Sequence, residues 1–327
     1  MNTPDPVSRQ PSCDDKDDPA WLPVDTALAR IAQAVSPISD VEVVALREAL
    51  DRVLGVDIKS PMPVPNHTNS AMDGYALRFA DLNGPPLRVV GTAWAGKAFV
   101  GVVNTAECVR IMTGAVMPEG ADTVVMQEHV EQRDDRIRVA DGQKEGQHVR
   151  YAGEDLAEGA TALLSGRRLL AADIGMVASL GVGELPVLRR PRVAFFSNGN
   201  ELRSIGQPLE LGDVYDSNRY TLYGMLSRAG MTFNDLGVVR DDREKIKQTL
   251  LRAADIADVV ITSAGASVGD ADYVKDVLDE IGQVNFWKIA MKPGRPLSFG
   301  KIGDSLFFGL PGNPVSVMVT FYQFVLP

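Results

Sequence analysis

The chain has 327 residues, of which 45% are hydrophobic and 23% are charged, and its net charge is −10. This length predicts two or three globular domains. The acidic balance argues against a nucleic-acid-binding surface, and the absence of an 18-residue apolar run or a signal-like N-terminus argues against membrane insertion and secretion. The two cysteines, Cys13 and Cys108, are too few for a disulfide framework or a zinc site, so we expect a cytoplasmic protein.

The N-terminal part of the chain begins with a proline-rich and acidic segment. Residues 1–20 offer almost nothing to bury, so we expect a disordered tail. Val24–Val35 has the spacing of a helix, with Asp25 as its cap. A short strand near Glu42–Ala45 and a helix near Arg47–Leu54 are predicted to follow.

The stretch Pro61–Arg78 is unusual, because its three prolines exclude regular structure over the first part. Asp73 then stands among small residues, next to a glycine. Such a loop suits close binding of a metal or a polar ligand, but an Asp-Gly pair more commonly marks a turn between two strands. The residues alone leave both interpretations open.

Short alternating runs from Leu87 to Val149 predict a β-rich region, either a small barrel or a twisted sheet. Thr113 lies at the end of one of these strands, where its hydroxyl suits either a ligand or a turn. Gly153-Glu154-Asp155 again places acids beside a glycine after a strand. Leu169–Leu180 is predicted to be a helix that ends at Gly181.

Beyond Pro191 strands alternate with helices, which predicts an open, mostly parallel sheet with its ligands at the carboxyl ends of the strands. The predicted strands are Val193–Ser197, Thr232–Val239, Asp258–Ser263, Val284–Ala290 and Leu306–Leu310. The predicted helices are Ser217–Arg228, Glu244–Ala254, Tyr273–Ile281 and one that starts at Pro314.

The last of these helices follows the turn Pro311-Gly312-Asn313-Pro314. Asn313 is a good N-cap, and Pro314 fits the first helical position, where its missing N–H costs nothing. Val315, Met318, Val319 and Tyr322 recur at helical spacing, so we predict that they form the buried face.

The loops at the strand ends bring unlike groups to one edge of the predicted sheet. Backbone donors of Gly265–Gly269 and Gly312–Asn313 suit phosphate-like oxygens, and carboxylates suit Mg²⁺. The acids are Glu201, Asp241 and Asp272, and the cations are Lys288, Lys292 and Arg295. Each group singly has a structural alternative, such as a helix cap or a solvated edge. Together they predict a site for a phosphorylated or oxyanionic substrate with a divalent ion.

Seven motifs carry a resemblance that spans about Trp21 to Pro327. They are SAMDGYA (Ser70–Ala76), RIMTGAVMPEGAD (Arg110–Asp122), GED (Gly153–Asp155), SNGNEL (Ser197–Leu202), SAGASVGDADY (Ser263–Tyr273), KIAMKPGRP (Lys288–Pro296) and LPGNPVS (Leu310–Ser316). In this order they closely resemble the molybdopterin molybdenumtransferase family, which includes the bacterial MoeA proteins and the E domain of gephyrin.

The resemblance implies an elongated multidomain chain of α/β plus β-rich class. The expected parts are a discontinuous helical linking domain (21–60 and 150–188), a β-rich domain (61–149) and a mostly parallel α/β molybdopterin-binding domain (189–327). It also implies a transferase that inserts molybdenum from molybdate into adenylylated molybdopterin, releases AMP and requires Mg²⁺. The expected assembly is a homodimer whose site is shared between subunits, and the molybdopterin adenylyltransferase is a further candidate partner.

Site roles follow from the same resemblance. Asp73, Thr113, Lys288 and Lys292 are the expected catalytic residues, and Glu201, Asp241 and Asp272 are the expected Mg²⁺ ligands. The expected substrate-binding residues are Asp155, Ser267, Gly269, Arg295, Pro311, Gly312, Asn313 and Pro314. No general base is assigned.

Three departures from the family pattern bear on these expectations. Asn200 stands where an Asp is common, and Ala264 and Ala266 replace the usual Gly and Val, so the extra Cβ at Ala264 is expected to restrict φ in that loop. The sequence ends at Pro327, where the family usually continues into a small C-terminal β-domain that contributes to the site. We expect a shortened chain or a reduced member of the family, with the fold retained.

Two alternatives to the transferase remain. The first is activity like that of the adenylyltransferase that activates molybdopterin, which shares the α/β domain type but is a lone domain. The second is a non-catalytic molybdopterin-binding or scaffold protein. The β-rich region with Asp73 and Thr113 favours the transferase over the adenylyltransferase.

Overall fold

The structure is a computed structural model in which residues 21–264 and 273–327 are described. The α-helices are α1 (Val24–Ala34), α2 (Ala171–Ser179), α3 (Ser217–Arg228), α4 (Arg243–Ile256), α5 (Tyr273–Ile281) and α6 (Pro314–Thr320). The strands are β1 (Val41–Ala45), β2 (Ile58–Lys59), β3 (Asn69–Ser70), β4 (Gly74–Leu77), β5 (Leu87–Ala93), β6 (Glu107–Ile111), β7 (Thr123–Met126), β8 (Val130–Arg133), β9 (Arg136–Val139), β10 (Val149–Arg150), β11 (Thr161–Leu163), β12 (Glu184–Leu188), β13 (Arg192–Asn198), β14 (Leu202–Arg203), β15 (Val214–Tyr215), β16 (Thr232–Val239), β17 (Val259–Ser263), β18 (Gln283–Lys288), β19 (Pro296–Ile302) and β20 (Ser305–Leu310). None of the helices in these described ranges has the length and apolar character that a membrane crossing requires.

The chain divides into two compact units. The first, which we call the α/β unit, comprises residues 189–327 together with the described residues that precede 40. The second, the β unit, comprises residues 40–188. The α/β unit includes α1, because Ala27 and Ile31 of that helix are buried in its core. Residues 21–39, the first part of the predicted linking segment 21–60, therefore lie in the α/β unit.

The α/β unit is built on a six-stranded sheet with the order β16-β13-β17-β20-β19-β18. The first four strands are parallel, and β19 runs antiparallel to both of its neighbours, so β18 points the same way as the parallel strands. Helices cover both faces. Phe195 packs with α1, α3 and α6 on one face, while the next residue, Phe196, packs with α4 and α5 on the other. The predicted α/β class is confirmed, but the sequence analysis missed β19.

The β unit contains a second six-stranded sheet, with the order β7-β4-β6-β5-β9-β8. It packs apolar residues on both faces, with Ala76 and Val109 on one and Leu77 and Cys108 on the other. A separate core lies around α2 and the β1–β12 pair. The predicted β-rich region is confirmed. Burial in this unit raises the pKa of the Cys108 thiol to about 12, which keeps the thiol protonated and unreactive.

The predicted buried face of α6 is wrong. Val315, Met318 and Tyr322 are 59%, 43% and 45% exposed, whereas the helix buries Ser316, Val317 and Thr320. The polar Thr320 can be buried here because its hydroxyl donates to the backbone carbonyl oxygen of Ser316 at 2.7 Å, within the helix itself. An apolar stripe was therefore a poor guide to the orientation of this short helix.

Two local predictions near the N-terminus are also wrong. The helix expected near Arg47–Leu54 is only a 3₁₀ turn at Leu46–Glu48. Asp25 does not cap α1, whose N-cap is Pro23, and it lies instead in the first turn of the helix. A carboxylate in the first turn is still favourable, because it faces the positive end of the helix dipole.

Asp258, which immediately precedes β17, links the start of that strand to the start of β13 through hydrogen bonds. Arg189 donates to both of its carboxylate oxygens, at 2.6 and 3.0 Å, and the Arg192 backbone N–H donates at 2.7 Å. Partial burial opposes ionisation of Asp258, but the hydrogen bonds from Arg189 and Arg192 outweigh it and hold its pKa below the usual range.

We expect Asp258→Asn to lower the free energy of unfolding by about 2 kcal/mol at pH 7, the usual worth of hydrogen bonds to a charged group. Because the pKa is depressed in the folded state, this stabilisation is full above the unfolded pKa of about 3.9 and is lost as pH falls below it. Urea unfolding at pH 7, 5 and 3.5 should show the gap between the two proteins narrowing only at the lowest pH. Glu280→Gln is the matched control, since Glu280 also has two cationic partners but is exposed. This substitution should lower the free energy of unfolding by much less than Asp258→Asn does. A gap that is constant with pH would contradict the assignment.

Candidate functional site

In the β unit, Asp73 and Thr113 meet because of the strand register. Asp73 immediately precedes β4 and Thr113 follows β6, and these antiparallel strands pair Gly74 with Ile111. The Asp73 Oδ1 atom accepts hydrogen bonds from the Thr113 backbone N–H at 2.7 Å and from its hydroxyl at 2.8 Å. Two residues that are 40 positions apart therefore form one exposed polar group.

The Asp73 carboxylate is held in its ionised form. Hydrogen bonds from the Thr113 backbone and then from its hydroxyl lower the pKa of Asp73, and the Arg110 charge adds to the effect. Arg110 itself stacks over the Tyr75 ring, 5.0 Å from its centroid. In the described part of the chain only the Oδ1 atom accepts hydrogen bonds, so Oδ2 remains available to an external ligand.

Asp155 is paired with an arginine that the sequence analysis did not single out. Arg150 donates to the carboxylates of Asp155 and Glu154, at 2.5 and 2.6 Å. Arg150 also lies opposite Asn69 in the β10–β3 pair, a few residues before Asp73. A substrate that approaches this loop meets an ion pair and not a bare carboxylate. Arg150 precedes Glu154 by four residues and Asp155 by five, and this spacing could have predicted the ion pair from the sequence.

In the α/β unit, the order of the strands reverses between β13 and β17. The chain moves from β13 outward to β16 on one side, and then crosses to β17 on the other side. Such a switch point leaves a crevice at the carboxyl ends of the two strands, where ligands bind in open α/β sheets. Asn198 ends β13, and Ala264 follows β17, so both residues border this crevice.

Two of the predicted metal ligands lie around residues 198–200, at this crevice. Asp241, just beyond β16, accepts a hydrogen bond from the Asn198 side chain at 2.5 Å and from the Asn200 backbone N–H at 3.2 Å. Glu201 folds over Gly199, where an added Cβ atom would lie 2.6 Å from its carboxylate. Asn200, which departs from the family pattern, accepts a return hydrogen bond from the Asp241 backbone N–H at 3.2 Å.

The turn at residues 311–314 lies on the same edge of the sheet. The Asn313 side chain accepts a hydrogen bond from the Val315 N–H at 3.0 Å, so the predicted N-cap is confirmed, with Pro314 in the first helical position. Asn218, in the first turn of α3, donates to the Gly312 carbonyl oxygen at 2.7 Å and fixes the turn from the other side. Asn218 lies within the predicted helix Ser217–Arg228, and no role at the site was predicted for it.

The predicted cations stand at the far side of the sheet. Lys288 ends β18, and three strands separate β18 from β13. At about 4.8 Å per strand, Lys288 lies roughly 19 Å along the sheet from the end of β13. Lys292 is exposed in the loop that follows, and the Arg295 guanidinium stacks over Trp21, 4.1 Å from the ring centroid. One small ion cannot contact both the carboxylates near the end of β13 and the cations at and after the end of β18, but an extended nucleotide-like substrate can.

Three predicted site residues, Ser267, Gly269 and Asp272, lie outside the described residues. Within the described ranges, no three His, Cys, Asp or Glu side chains come together as a metal site. The donors that the structure does place, Glu201 and Asp241, are hard oxygen ligands of the kind that Mg²⁺ prefers. The buried Asn198 Oδ1 atom lies beside Asp241 with no hydrogen-bond partner in the described part of the chain, which also fits a cation at this place.

Ala264 adopts a left-handed conformation despite the Cβ atom that was expected to restrict φ at this position. Its φ is +70°, in the left-handed region that disfavours any residue with a Cβ atom. It also lies beside the turn, since a Cβ atom added at Gly312 would be 3.7 Å from the Ala264 Cβ. Strain is therefore stored at the edge of the crevice.

We expect Ala264→Gly to raise the free energy of unfolding by about 0.5–1 kcal/mol, because relief of the left-handed strain exceeds the added entropy of the unfolded chain. Ala254→Gly, inside α4, is the matched control and should have the opposite sign, with a loss of about 1 kcal/mol. Urea denaturation of both variants provides the comparison. A loss of stability in both would show that Ala264 is not strained.

Comparisons with known proteins give matches to related proteins along almost the whole chain. Residues 22–181 match a family described as the MoeA N-terminal region (domain I and II), and residues 194–327 match one described as a probable molybdopterin binding domain. A protein named molybdopterin molybdenumtransferase from Haemophilus influenzae is 43% identical over 308 residues, which is 94% of this chain and 76% of that protein. Gephyrin of Dictyostelium discoideum is 35% identical over 350 residues, which is 93% of this chain and 49% of gephyrin.

A solved structure extends this likeness to the fold. The crystal structure of the molybdopterin biosynthesis MoeA protein from Pyrococcus horikoshii OT3 has a TM-score of 0.79 at 31% identity, covering 94% of this chain and 78% of that one. Both family matches, the curated relatives and this structure agree. The chain belongs to the MoeA family of molybdenum cofactor biosynthesis proteins.

Proposed function

We propose that this protein is a molybdopterin molybdenumtransferase, which inserts molybdenum from molybdate into adenylylated molybdopterin and releases AMP. The observation that carries the proposal is the Asp73–Thr113 pair in the β unit, in a chain that also has a molybdopterin-binding type of α/β unit. An adenylyltransferase, the main alternative, needs only the α/β unit. The β unit and its polar pair favour the insertion step.

The α/β unit is proposed to hold the pterin nucleotide across the carboxyl edge of its sheet. Glu201 and Asp241 would hold Mg²⁺ at one end, and the exposed Lys288 and Lys292 would neutralise phosphate or oxyanion charge at the other. The backbone of Gly312 and Asn313 would form the wall between them. Bound Mg²⁺ would offset the negative charge that develops as the phosphoanhydride is cleaved.

Asp73 and Thr113 are proposed to act at the molybdate end of the reaction. An ionised carboxylate repels a bare oxyanion, so the pair suits an oxyanion that is protonated or accompanied by a cation. The free Oδ2 atom of Asp73 can then accept a hydrogen bond from the bound species, while Thr113 keeps the carboxylate in position. Arg150, whose charge is balanced by Glu154 and Asp155, would add a polar ion-pair contact on the same unit.

We further propose a homodimer in which the β unit of one subunit and the α/β unit of the other complete each site. The support is chemical: the β unit supplies Asp73 and Thr113, the α/β unit supplies the metal and phosphate groups, and the reaction needs both sets. The adenylyltransferase that supplies the activated pterin is a proposed partner, because handing over a labile intermediate avoids its release.

The experiment is turnover of purified protein with adenylylated molybdopterin, molybdate and Mg²⁺. We expect molybdate-dependent release of AMP together with active cofactor. Adenylylation of molybdopterin from ATP would instead support the adenylyltransferase. Tight binding of the pterin with neither reaction would support a scaffold role, and no binding would refute the assignment of the α/β unit.

A further inference from the structure

Asn198, the last residue of β13, combines two features that the proposed function does not use. Its side chain is only 7% exposed, and its Nδ2 atom donates to the Asp241 Oδ1 atom at 2.5 Å. The two residues are 43 positions apart and meet because β13 and β16 pair in parallel, with Asn198 opposite Val239. Asn198 is therefore a buried amide that is fixed against one of the proposed metal ligands.

The orientation of this amide follows from its partner. An ionised carboxylate only accepts hydrogen bonds, so the nitrogen of the amide must face Asp241. The Asn198 Oδ1 atom, on the same planar group, then lies beside the carboxylate. It is buried, and the described residues give it no donor. A buried acceptor without a partner costs about 1–3 kcal/mol, so such an atom in a native site calls for an explanation.

The surroundings of this atom are rich in oxygen, and the nearby Arg203, which donates to the Asn200 carbonyl oxygen at 2.7 Å, forms its ion pair with Asp213. Within the described ranges, neither Asp241 nor Glu201 forms an ion pair. The Glu201 carboxylate packs against Gly199, the next residue after Asn198. Two carboxylates and an orphaned amide oxygen thus border one short segment, and a hard divalent cation can satisfy all three groups.

We propose that Asn198 belongs to the divalent-cation site of the α/β unit. Its Nδ2 atom positions the Asp241 carboxylate, and its Oδ1 atom supplies a further oxygen to the cation, directly or through a bound water. This inference rests on the proposed function, because it assumes that Glu201 and Asp241 bind a cation. It adds a neutral ligand, which lowers the net negative charge of the site compared with an all-carboxylate set.

Two variants separate the roles of the two amide atoms. Asn198→Leu removes both, and Asn198→Asp keeps an oxygen but replaces the donor with a second charge next to Asp241. We expect Asn198→Leu to weaken the affinity for Mn²⁺, used as the probe, by about 10–100-fold, as is usual for groups that support metal ligands. Asn198→Asp should bind Mn²⁺ at least as tightly as wild type at pH 8, since it retains the oxygen and adds charge.

The measurements are electron paramagnetic resonance titration of Mn²⁺ and thermal unfolding with and without Mn²⁺. Without metal, Asn198→Asp should melt below wild type because of carboxylate repulsion, and Mn²⁺ should raise its Tm by more than it raises that of wild type. Thr262→Val is the matched control. It removes a buried hydroxyl that has no partner in the described ranges, on the adjacent strand β17, and should leave Mn²⁺ affinity unchanged.

Unchanged Mn²⁺ affinity in Asn198→Leu would overturn the inference, and so would a loss in Asn198→Asp as large as that in Asn198→Leu. In either case AMP release by wild type would leave the proposed function standing. A wild-type protein that binds no Mn²⁺ would overturn the inference together with the proposed metal ligands.

Discussion

Replacing Asp73 with asparagine is expected to reduce AMP release and cofactor formation by about 10²–10³-fold while the protein stays folded. Asparagine has nearly the same shape, and its side-chain oxygen can still accept the hydrogen bonds from the Thr113 N–H and hydroxyl. The local turn should therefore survive. What is lost is the negative charge, which the hydrogen bonds from Thr113 maintain in the wild-type protein by lowering the pKa of Asp73.

The measurement is single-turnover AMP release, followed together with Tm and with affinity for adenylylated molybdopterin. Affinity should change little, because the proposed pterin site is on the α/β unit. Asp134→Asn is the matched control: Asp134 is an exposed acid of the same unit with φ of +54°, a conformation that asparagine tolerates well. An Asp73→Asn protein that unfolds would instead assign Asp73 to a structural turn, and full activity would remove it from the site.

The sequence predicted most of what is local in this fold. The predicted bounds of α3 and α5 agree with the structure, and the Asn313 cap is confirmed, because a cap or a helix depends on residues within one or two turns. The parallel sheet followed from alternation of strands and helices. The strand β19 was not predicted. It begins at a proline and ends before a glycine-containing turn, and no local pattern in the sequence identifies it as the partner of β18.

Two of the features missed at the site depend on distant pairing, whereas the missed Arg150–Asp155 pair is local. Asn198 meets Asp241, and Asn218 meets Gly312, through contacts across 43 and 94 positions. No spacing rule reaches so far. The orientation of α6 was missed for a related reason: its apolar stripe is a local pattern, but the buried side is decided by packing against the sheet, where the Thr320 hydroxyl is satisfied within the helix.

Mixed dimers should distinguish a shared site from a site within one chain. We expect a heterodimer of an Asp73→Asn subunit and an Asp241→Asn subunit to have about half of the wild-type activity, although each parent homodimer is almost inactive. If each site uses Asp73 of one subunit and Asp241 of the other, one of the two sites in the heterodimer carries both substitutions and the other carries none. Co-expression with two different tags and sequential purification gives the required species.

The reciprocal heterodimer provides the control, because the two arrangements predict opposite results for it. It pairs a wild-type subunit with a subunit that carries both Asp73→Asn and Asp241→Asn. With shared sites, each site receives one substitution and the heterodimer is inactive. With sites inside single chains, the wild-type subunit keeps its site and about half of the activity remains. Since the composition of the two heterodimers is the same, only the geometry of the site can produce the difference, and a protein that is monomeric by light scattering would contradict the shared site outright.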